Sequence, residues 1–208
     1  MKICFQTSFA ARRMLALTAA SVVLMMGATG CASRAGNGTG TAQAFGTPIV
    51  TTAGVAPSFT SRADNFAIWL PGVPQQNEKE VDDGRGGKTK VTMVQLNRHP
   101  VTYLIIPTLI PAAAAKLDSA RFLDSVQDGY LSSLKVGSGQ LKGTRDVSLQ
   151  NYPGREMTST LGSNVILSRF FLTAKRSYHL SAIATEAEAA KNGDEINKVL
   201  DSFQILEK

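Results

Sequence analysis

The sequence predicts an α+β domain: a central antiparallel sheet with helices on both faces. Two observations lead to this prediction. Segments rich in Val, Ile, Thr and Tyr come in two consecutive groups, and consecutive strands joined by short turns pair antiparallel. A helical segment with one apolar stripe follows each group, and each stripe has to be buried against the sheet. The predicted order is therefore strands, helix, strands, helix.

The first group of strands is predicted between residues 75 and 107, with the members Gln75–Val81, Lys88–Asn97 and Val101–Pro107. Asn65–Leu70 is a short apolar run that precedes this group. Pro71-Gly72 predicts a type II turn, because Pro fixes φ at the first central position and Gly allows positive φ at the second. The segment Arg98-His99-Pro100 joins the last two strands of the group.

The first helix is predicted after this group. Apolar residues recur at helical spacing at Ala120, Leu123, Val126, Tyr130 and Leu134. Asp118 or Ser119 can cap its start by accepting a bond from the first free backbone N–H groups. Gly137-Ser138-Gly139 is a stop signal, since Gly is favoured just past a helix end.

The second group of strands and the last helix complete the domain. The predicted strands are Leu141–Gln150, Arg155–Leu161, Val165–Lys175 and Tyr178–Ala184. The helix begins at about Asp194, with apolar residues at Ile196, Val199, Leu200 and Phe203. Adjacent strand residues face opposite sides, so helices on both faces should bury both Phe170 and Phe171. The alternative is that one of the two contributes to an exposed binding patch. Pro153-Gly154 predicts a second type II turn, with positive φ at Gly154.

The amino terminus has the three-part pattern of a secretory signal peptide, predicted over residues 1–30. Met1–Arg13 contains three positive charges, and the 13 residues of Met14–Met26 contain none. A span of 13 residues is too short for a transmembrane helix, which needs about 20. Small residues follow, as signal peptides require before the cleavage site.

The segment Gly27-Ala28-Thr29-Gly30-Cys31 resembles the lipobox of bacterial lipoproteins, with Ala28 where that family usually has Leu. In that family the Cys is lipidated on its thiol and becomes the first mature residue. The resemblance implies a lipid-anchored protein of the cell envelope. Ala32 lacks the Asp that usually retains lipoproteins in the inner membrane, which favours the outer membrane in a cell with two membranes. The alternative is cleavage near Ala28 with Cys31 left as a free thiol.

Residues 31–57 are predicted to be a lipidated Cys and a flexible tether, and residues 58–208 the folded domain. From Ala32 to Ala56 the chain has six Ala, five Gly, five Thr and no acidic residue. A Gly-rich coil of this length reaches roughly 28 Å on average. No Cys follows Cys31, so the domain has no internal disulfide available in an oxidising compartment.

The net charge of +6 overstates how basic the domain is. Residues 58–208 contain 18 basic and 16 acidic residues, a difference of +2. These charges are dispersed, whereas a nucleic-acid site needs clustered Lys and Arg with interleaved aromatic residues. We therefore predict no nucleic-acid partner.

Several short motifs resemble PsbP-like domains. They are Phe59-Thr60-Ser61 with Phe66, Leu70-Pro71-Gly72 with Pro74, Tyr152–Glu156, Arg176–Leu180 and Leu200–Phe203. This superfamily includes the photosystem II extrinsic subunit P, the Ran-release factor Mog and many bacterial lipoproteins. The resemblance implies an antiparallel sheet between helices, an α/β/α sandwich. It implies no single function, because these relatives differ in what they do.

The sequence shows no catalytic motif. Gly87-Lys88-Thr89 is not a phosphate-binding loop, because position 82 is Asp where the motif needs its first Gly. His99 lies in a predicted turn, and His179 is predicted on the solvated side of a strand. Trp69 and the other large aromatic residues are interpreted as core. We predict no cofactor, no metal site and no catalytic residue.

The predicted function is a non-enzymatic binding or accessory lipoprotein, with the membrane and an unidentified protein or small ligand as partners. The alternative is an envelope hydrolase that uses His99 or His179 with a Ser or Asp that the spacing does not identify.

Overall fold

The computed structural model describes residues 55–82, 88–110 and 118–206. The predicted signal peptide, Cys31 and most of the tether lie outside these residues, as does Gly87. None of the described helices is long and apolar enough to cross a membrane.

The described residues form ten strands and three helices. The first five strands are β1 Phe59–Ser61, β2 Phe66–Ile68, β3 Gln75–Asp82, β4 Lys88–Arg98 and β5 Val101–Leu109. Helix α1, Ser119–Val136, and strands β6 Gln140–Leu149, β7 Tyr152–Leu161, β8 Asn164–Leu172 and β9 Arg176–Thr185 follow. The chain continues with helix α2 Glu186–Lys191, helix α3 Gly193–Asp201 and strand β10 Gln204–Ile205.

The main sheet has seven strands in the order β3-β4-β5-β9-β8-β7-β6, and every neighbouring pair is antiparallel. The predicted α+β class and antiparallel sheet are therefore confirmed. A second sheet with the order β1-β2-β10 was not predicted. Its strands have two or three residues, too few to show the alternation by which strands are recognised in a sequence.

The helices cover opposite faces of the main sheet, which we call the α1 face and the α3 face. On the α3 face, Ile196, Val199 and Leu200 of the helix join one large apolar cluster with residues of β4, β5, β6, β8 and β9. On the α1 face, the helical stripe Leu123, Val126, Tyr130 and Leu134 packs on Met157 and Phe170. Phe170 and Phe171 are buried in the two different clusters, as predicted.

The predicted limits of α1 are confirmed at its start, where the Asp118 carboxylate accepts a bond of 2.9 Å from the Arg121 N–H. The single helix predicted from about Asp194 is preceded by the short helix α2, which has no buried residue. Without an apolar face, α2 had no helical stripe that the sequence could reveal.

Both predicted type II turns are wrong. The turn between β6 and β7 is formed by Gln150 and Asn151, with φ of 50° and 70°, and Pro153-Gly154 lies within β7. Among the described glycines only Gly162 has positive φ, so neither Gly72 nor Gly154 takes the conformation that a type II turn requires. Gly154 is needed for another reason: a Cβ atom there would collide with the Phe170 carbonyl oxygen and lie 2.5 Å from Cδ1 of Phe171.

Candidate functional site

A group of buried polar side chains lies between the sheet and helix α1. We call it the His179 cluster; it consists of Tyr130, Ser159, Ser168, His179 and Ser181. Nε2 of His179 lies 2.7 Å from the Ser181 hydroxyl and 3.3 Å from the Ser168 hydroxyl. Ser168 and Ser181 are register partners on β8 and β9, and their hydroxyls are 3.1 Å apart.

Helix α1 covers this cluster and contacts it through Tyr130. The Tyr130 hydroxyl lies 2.6 Å from the Ser159 hydroxyl and 3.5 Å from that of Ser168. The imidazole of His179 stacks on the Phe170 ring, with centroids 4.1 Å apart and an interplanar angle of 12°. Tyr130 meets both rings edge-on. The imidazole is therefore enclosed by rings and hydroxyls contributed by three elements, α1, β8 and β9.

Burial sets the protonation state of this cluster. It lowers the pKa of His179 from 6.5 to about 3, because an imidazolium loses its hydration when it is buried. Burial also raises the pKa of the Tyr130 phenol, although its bonds to Ser159 and Ser168 act in the opposite direction. The cluster is thus electrically neutral at physiological pH.

The prediction that His179 faces solvent is wrong: the residue is only 8% exposed. Alternation placed it correctly on the face opposite Tyr178 and Leu180. The error was to treat that face as solvated, although helix α1 covers it. A strand covered on both faces has no solvated side, and alternation alone cannot identify that case.

The other histidine is not part of the cluster. His99 is exposed in the turn between β4 and β5, as predicted. His179 is aligned with Ile106, near the other end of β5. The structure therefore does not bring the two histidines together.

A second polar group, which the sequence did not reveal, lies around the buried Arg169 on the α3 face. We call it the Arg169 cluster; it consists of Arg145, Glu156, Arg169 and Asp201. The Glu156 carboxylate accepts bonds of 2.7 Å from Arg145 Nε and 2.8 Å from Arg169 Nε. Arg169 Nη1 donates a bond of 2.6 Å to Asp201 at the end of α3. These contacts tie the last helix to β6, β7 and β8.

Positive and negative side chains alternate in the Arg169 cluster, and their attraction offsets the hydration that Arg169 and Glu156 lose on burial. Burial by itself would raise the pKa of Glu156, but the bonds from Arg145 and Arg169 outweigh it and hold that pKa below its usual value. The Arg169 side chain is 4% exposed and has a carboxylate on each side. These ion pairs join the end of α3 to the sheet.

Neither cluster has the donors of a metal site. Among the described residues, no group of three or more His, Cys, Asp or Glu side chains is close enough to bind a metal ion. No described carboxylate is bonded to His179 either.

Comparison with known proteins identifies the fold. No protein-family model and no curated protein sequence matches the chain. The solution structure of cyanobacterial PsbP (CyanoP) from Synechocystis sp. PCC 6803 matches with a TM-score of 0.52 and 12% identity, over 74% of this chain and 95% of that one. The described domain has the PsbP-like fold.

Two further solved structures are more distant. LpqN, which is involved in cell envelope biogenesis of Mycobacterium tuberculosis, has a TM-score of 0.43 at 15% identity, over 66% of this chain and 87% of that one. A Pseudomonas aeruginosa protein of unknown function, a putative regulator, has a TM-score of 0.39 at 9% identity, over 57% and 90% of the two chains.

The motifs that resembled PsbP-like domains have structural roles in this PsbP-like fold. Gly154 allows β8 to approach β7 closely, and Glu156 binds two arginines. Asp201 binds Arg169, and Phe203 is fully buried on the α3 face. The Ser202 hydroxyl accepts a bond of 2.9 Å from the Trp69 N–H. The resemblance therefore rests on residues that position elements, which is why it indicates a fold and no chemistry.

Proposed function

We propose that the protein is an exported, lipid-anchored envelope protein whose PsbP-like domain binds a protein or a small ligand without catalysing a reaction. The anchor rests on the leader and on Cys31. A tether of about 28 Å between Cys31 and the domain would let the domain reach a partner near the membrane.

One observation carries the non-enzymatic part of the proposal: His179, the buried histidine of the described domain, is enclosed. A His that acts as general base needs access to the substrate, and in triads a carboxylate orients it. His179 lies under Phe170 and Tyr130, and its described bonding partners are hydroxyls. Its geometry suits a core position.

The second candidate function is the envelope hydrolase, and one distance favours it. The Ser181 hydroxyl lies 2.7 Å from Nε2 of His179, as in a Ser–His pair in which the imidazole takes the hydroxyl proton. This function would require α1 to move away from the sheet before a substrate could reach Ser181.

The anchor is tested with Cys31→Ser in the full-length chain, followed by membrane fractionation and intact mass. We expect the wild-type protein in the membrane fraction with added acyl mass, and the variant outside that fraction without it. In a cell with two membranes, Ala32→Asp should retain the lipidated protein in the inner membrane. Unchanged mass and membrane association in Cys31→Ser would disprove the anchor.

The binding function is tested by crosslinking in the native envelope with the wild type and with the variants His179→Gln and His99→Gln. Gln at position 179 keeps a group that can bond to Ser181. We expect the same specific crosslinked product from all three proteins. The absence of a specific product, together with a hydrolytic activity that either substitution abolishes, would favour the hydrolase.

A further inference from the structure

The connection between β2 and β3 contains an exposed apolar loop, Pro71-Gly72-Val73-Pro74, which we call the Val73 loop. Val73 is 91% exposed, and the chain has no charged residue from Asn65 to Asn77. A single exposed apolar side chain needs no explanation. A loop built entirely of apolar residues, however, can enter a lipid surface, because it carries no polar side chain that would have to lose its hydration.

The Val73 loop is held at one end of the main sheet. Arg98, the last residue of β4, donates a bond of 2.6 Å from Nη1 to the Pro71 carbonyl oxygen. A Cβ atom on Gly72 would lie 3.3 Å from Cδ1 of Leu96, so the loop also lies against β4. These contacts fix the loop beside the turn between β4 and β5.

The predicted tether joins the domain next to this loop. The Ser58 hydroxyl donates a bond of 3.0 Å to the Leu70 carbonyl oxygen and accepts one of 2.8 Å from the Leu70 N–H. Leu70 directly precedes the Val73 loop, and Ser58 directly follows the predicted tether. The chain that leads back to Cys31 therefore leaves the domain at the end that carries the loop.

The side chains behind the loop suit lipid headgroups. Lys198 Nζ lies 4.0 Å from the centroid of the Trp69 ring, and the Arg98 side chain is 50% exposed. Glu195 lies 3.7 Å from Arg98, which neutralises part of this charge. Trp is enriched at membrane–water interfaces, and Lys and Arg are attracted to anionic headgroups. The arrangement thus has an apolar tip with an aromatic ring and two cations behind it.

We propose that the Val73 loop docks the domain on the same lipid surface that holds Cys31. The proposal rests on the proposed lipid anchor, which would keep that surface within reach of the loop. Docking is then an intramolecular step with a high effective concentration of lipid, so one small apolar loop suffices. The nine residues of β5 span about 27 Å, so Leu109, at the far end of that strand, points away from the membrane.

The proposal is tested with the full-length chain, exported and lipidated, in vesicles of phosphatidylethanolamine and phosphatidylglycerol. A nitrobenzoxadiazole label is attached to His99→Cys, in the exposed turn beside Arg98, or to Leu109→Cys, at the far end of β5. Leu109 is 63% exposed, so both labels are accessible. Quenching of each label by spin-labelled lipid in the vesicle is measured.

Intact mass separates failure of the anchor from failure of the docking. Acylation of Cys31 leaves the introduced Cys as the free thiol of the mature chain, since Cys4 is removed with the signal peptide. Missing acyl mass, with labelling of the parent chain, would disprove the anchor and the docking that rests on it. A protein with the acyl mass whose labels behave alike would disprove the docking alone.

We expect strong quenching of the label at position 99 and little at position 109. Val73→Asp should shift the equilibrium between docked and free domain about tenfold toward the free form, because a charge replaces a side chain that lipid would bury. Quenching at position 99 should fall accordingly, and the matched control Leu109→Asp should leave it unchanged. Equal quenching at the two positions would overturn the proposal, and so would quenching at position 99 that Val73→Asp does not weaken.

Discussion

The two faces of the main sheet are stabilised by different means. On the α3 face, aromatic rings pack directly on one another: Phe203 contacts Phe66, Phe171 and Tyr178 with centroid distances of 5.4–6.0 Å. On the α1 face, a smaller apolar cluster adjoins the hydroxyls and imidazole of the His179 cluster. The α3 face should therefore be sensitive to loss of volume, and the α1 face to loss of a hydrogen-bonding partner or to a change in charge.

The largest effect is expected from Phe203→Ala on the α3 face. Phe203 is fully buried among three aromatic rings, and truncation leaves a cavity that these rings cannot fill. We expect a loss of about 3–5 kcal/mol in the free energy of unfolding, measured by chemical denaturation. The control is Leu206→Ala, three residues along and 43% exposed, which should change little. Similar values for the two variants would refute this account of the α3 face.

The next effect concerns the ion pairs beside that apolar cluster. Arg145 and Arg169 contact Glu156 at 2.7 Å and 2.8 Å, but their side chains are 66% and 4% exposed. We expect Arg169→Gln to cost about 3 kcal/mol, because Glu156 and Asp201 then lose their buried partner. Arg145→Gln should cost less than about 1 kcal/mol, since water screens an exposed pair. Equal costs in denaturation experiments would mean that burial does not decide the strength of these contacts.

On the α1 face, the corresponding test is how the free energy of unfolding depends on pH. The pKa of His179 is lowered from 6.5 to about 3 in the folded protein, so its contribution to stability is complete above pH 6.5 and declines as the pH falls. Between pH 8 and pH 5 this loss amounts to about 2 kcal/mol. Glu156, whose pKa is held below 4.5, contributes a loss only at lower pH.

Denaturation midpoints of the wild type and His179→Gln across pH 5–8 measure this effect. The variant should be less stable at pH 8 and should lose less stability on acidification, because it cannot take up the proton. Parallel pH profiles would show that His179 is not the group that titrates.

The sequence predicted the elements better than the clusters, and particular residues show why. The stripe from Leu123 to Leu134 and the alternation around Tyr178 are local patterns, and both predicted their element correctly, although the face that carries His179 was wrongly interpreted as solvated. The Arg169 cluster joins residues that are 11, 13 and 32 positions apart. Its only signal would have been the strand register, which depends on the position of the turn. That turn was predicted at Pro153-Gly154 and lies at Gln150-Asn151, so the register was not available.

The smallest effect is expected when a buried Tyr is replaced by Phe, a substitution that can be made on both faces of the sheet. Tyr130 on the α1 face and Tyr103 on the α3 face are both buried, and each hydroxyl has a side-chain partner. The partner of Tyr130 is Ser159, which is fully buried. The partner of Tyr103 is Glu195, at 3.1 Å, whose side chain is 30% exposed.

Tyr130→Phe should cost about 1–2 kcal/mol, because the Ser159 hydroxyl loses its short bond in a place that water does not reach. Tyr103→Phe should cost about 0.5 kcal/mol, since Glu195 can bond to water instead. Adding Ser159→Ala to Tyr130→Phe should recover part of the loss, because a buried pair replaced on both sides leaves no unsatisfied group. A double variant less stable than Tyr130→Phe would indicate that Ser159 has another essential partner, and the α1 face would then not depend on this hydrogen bond.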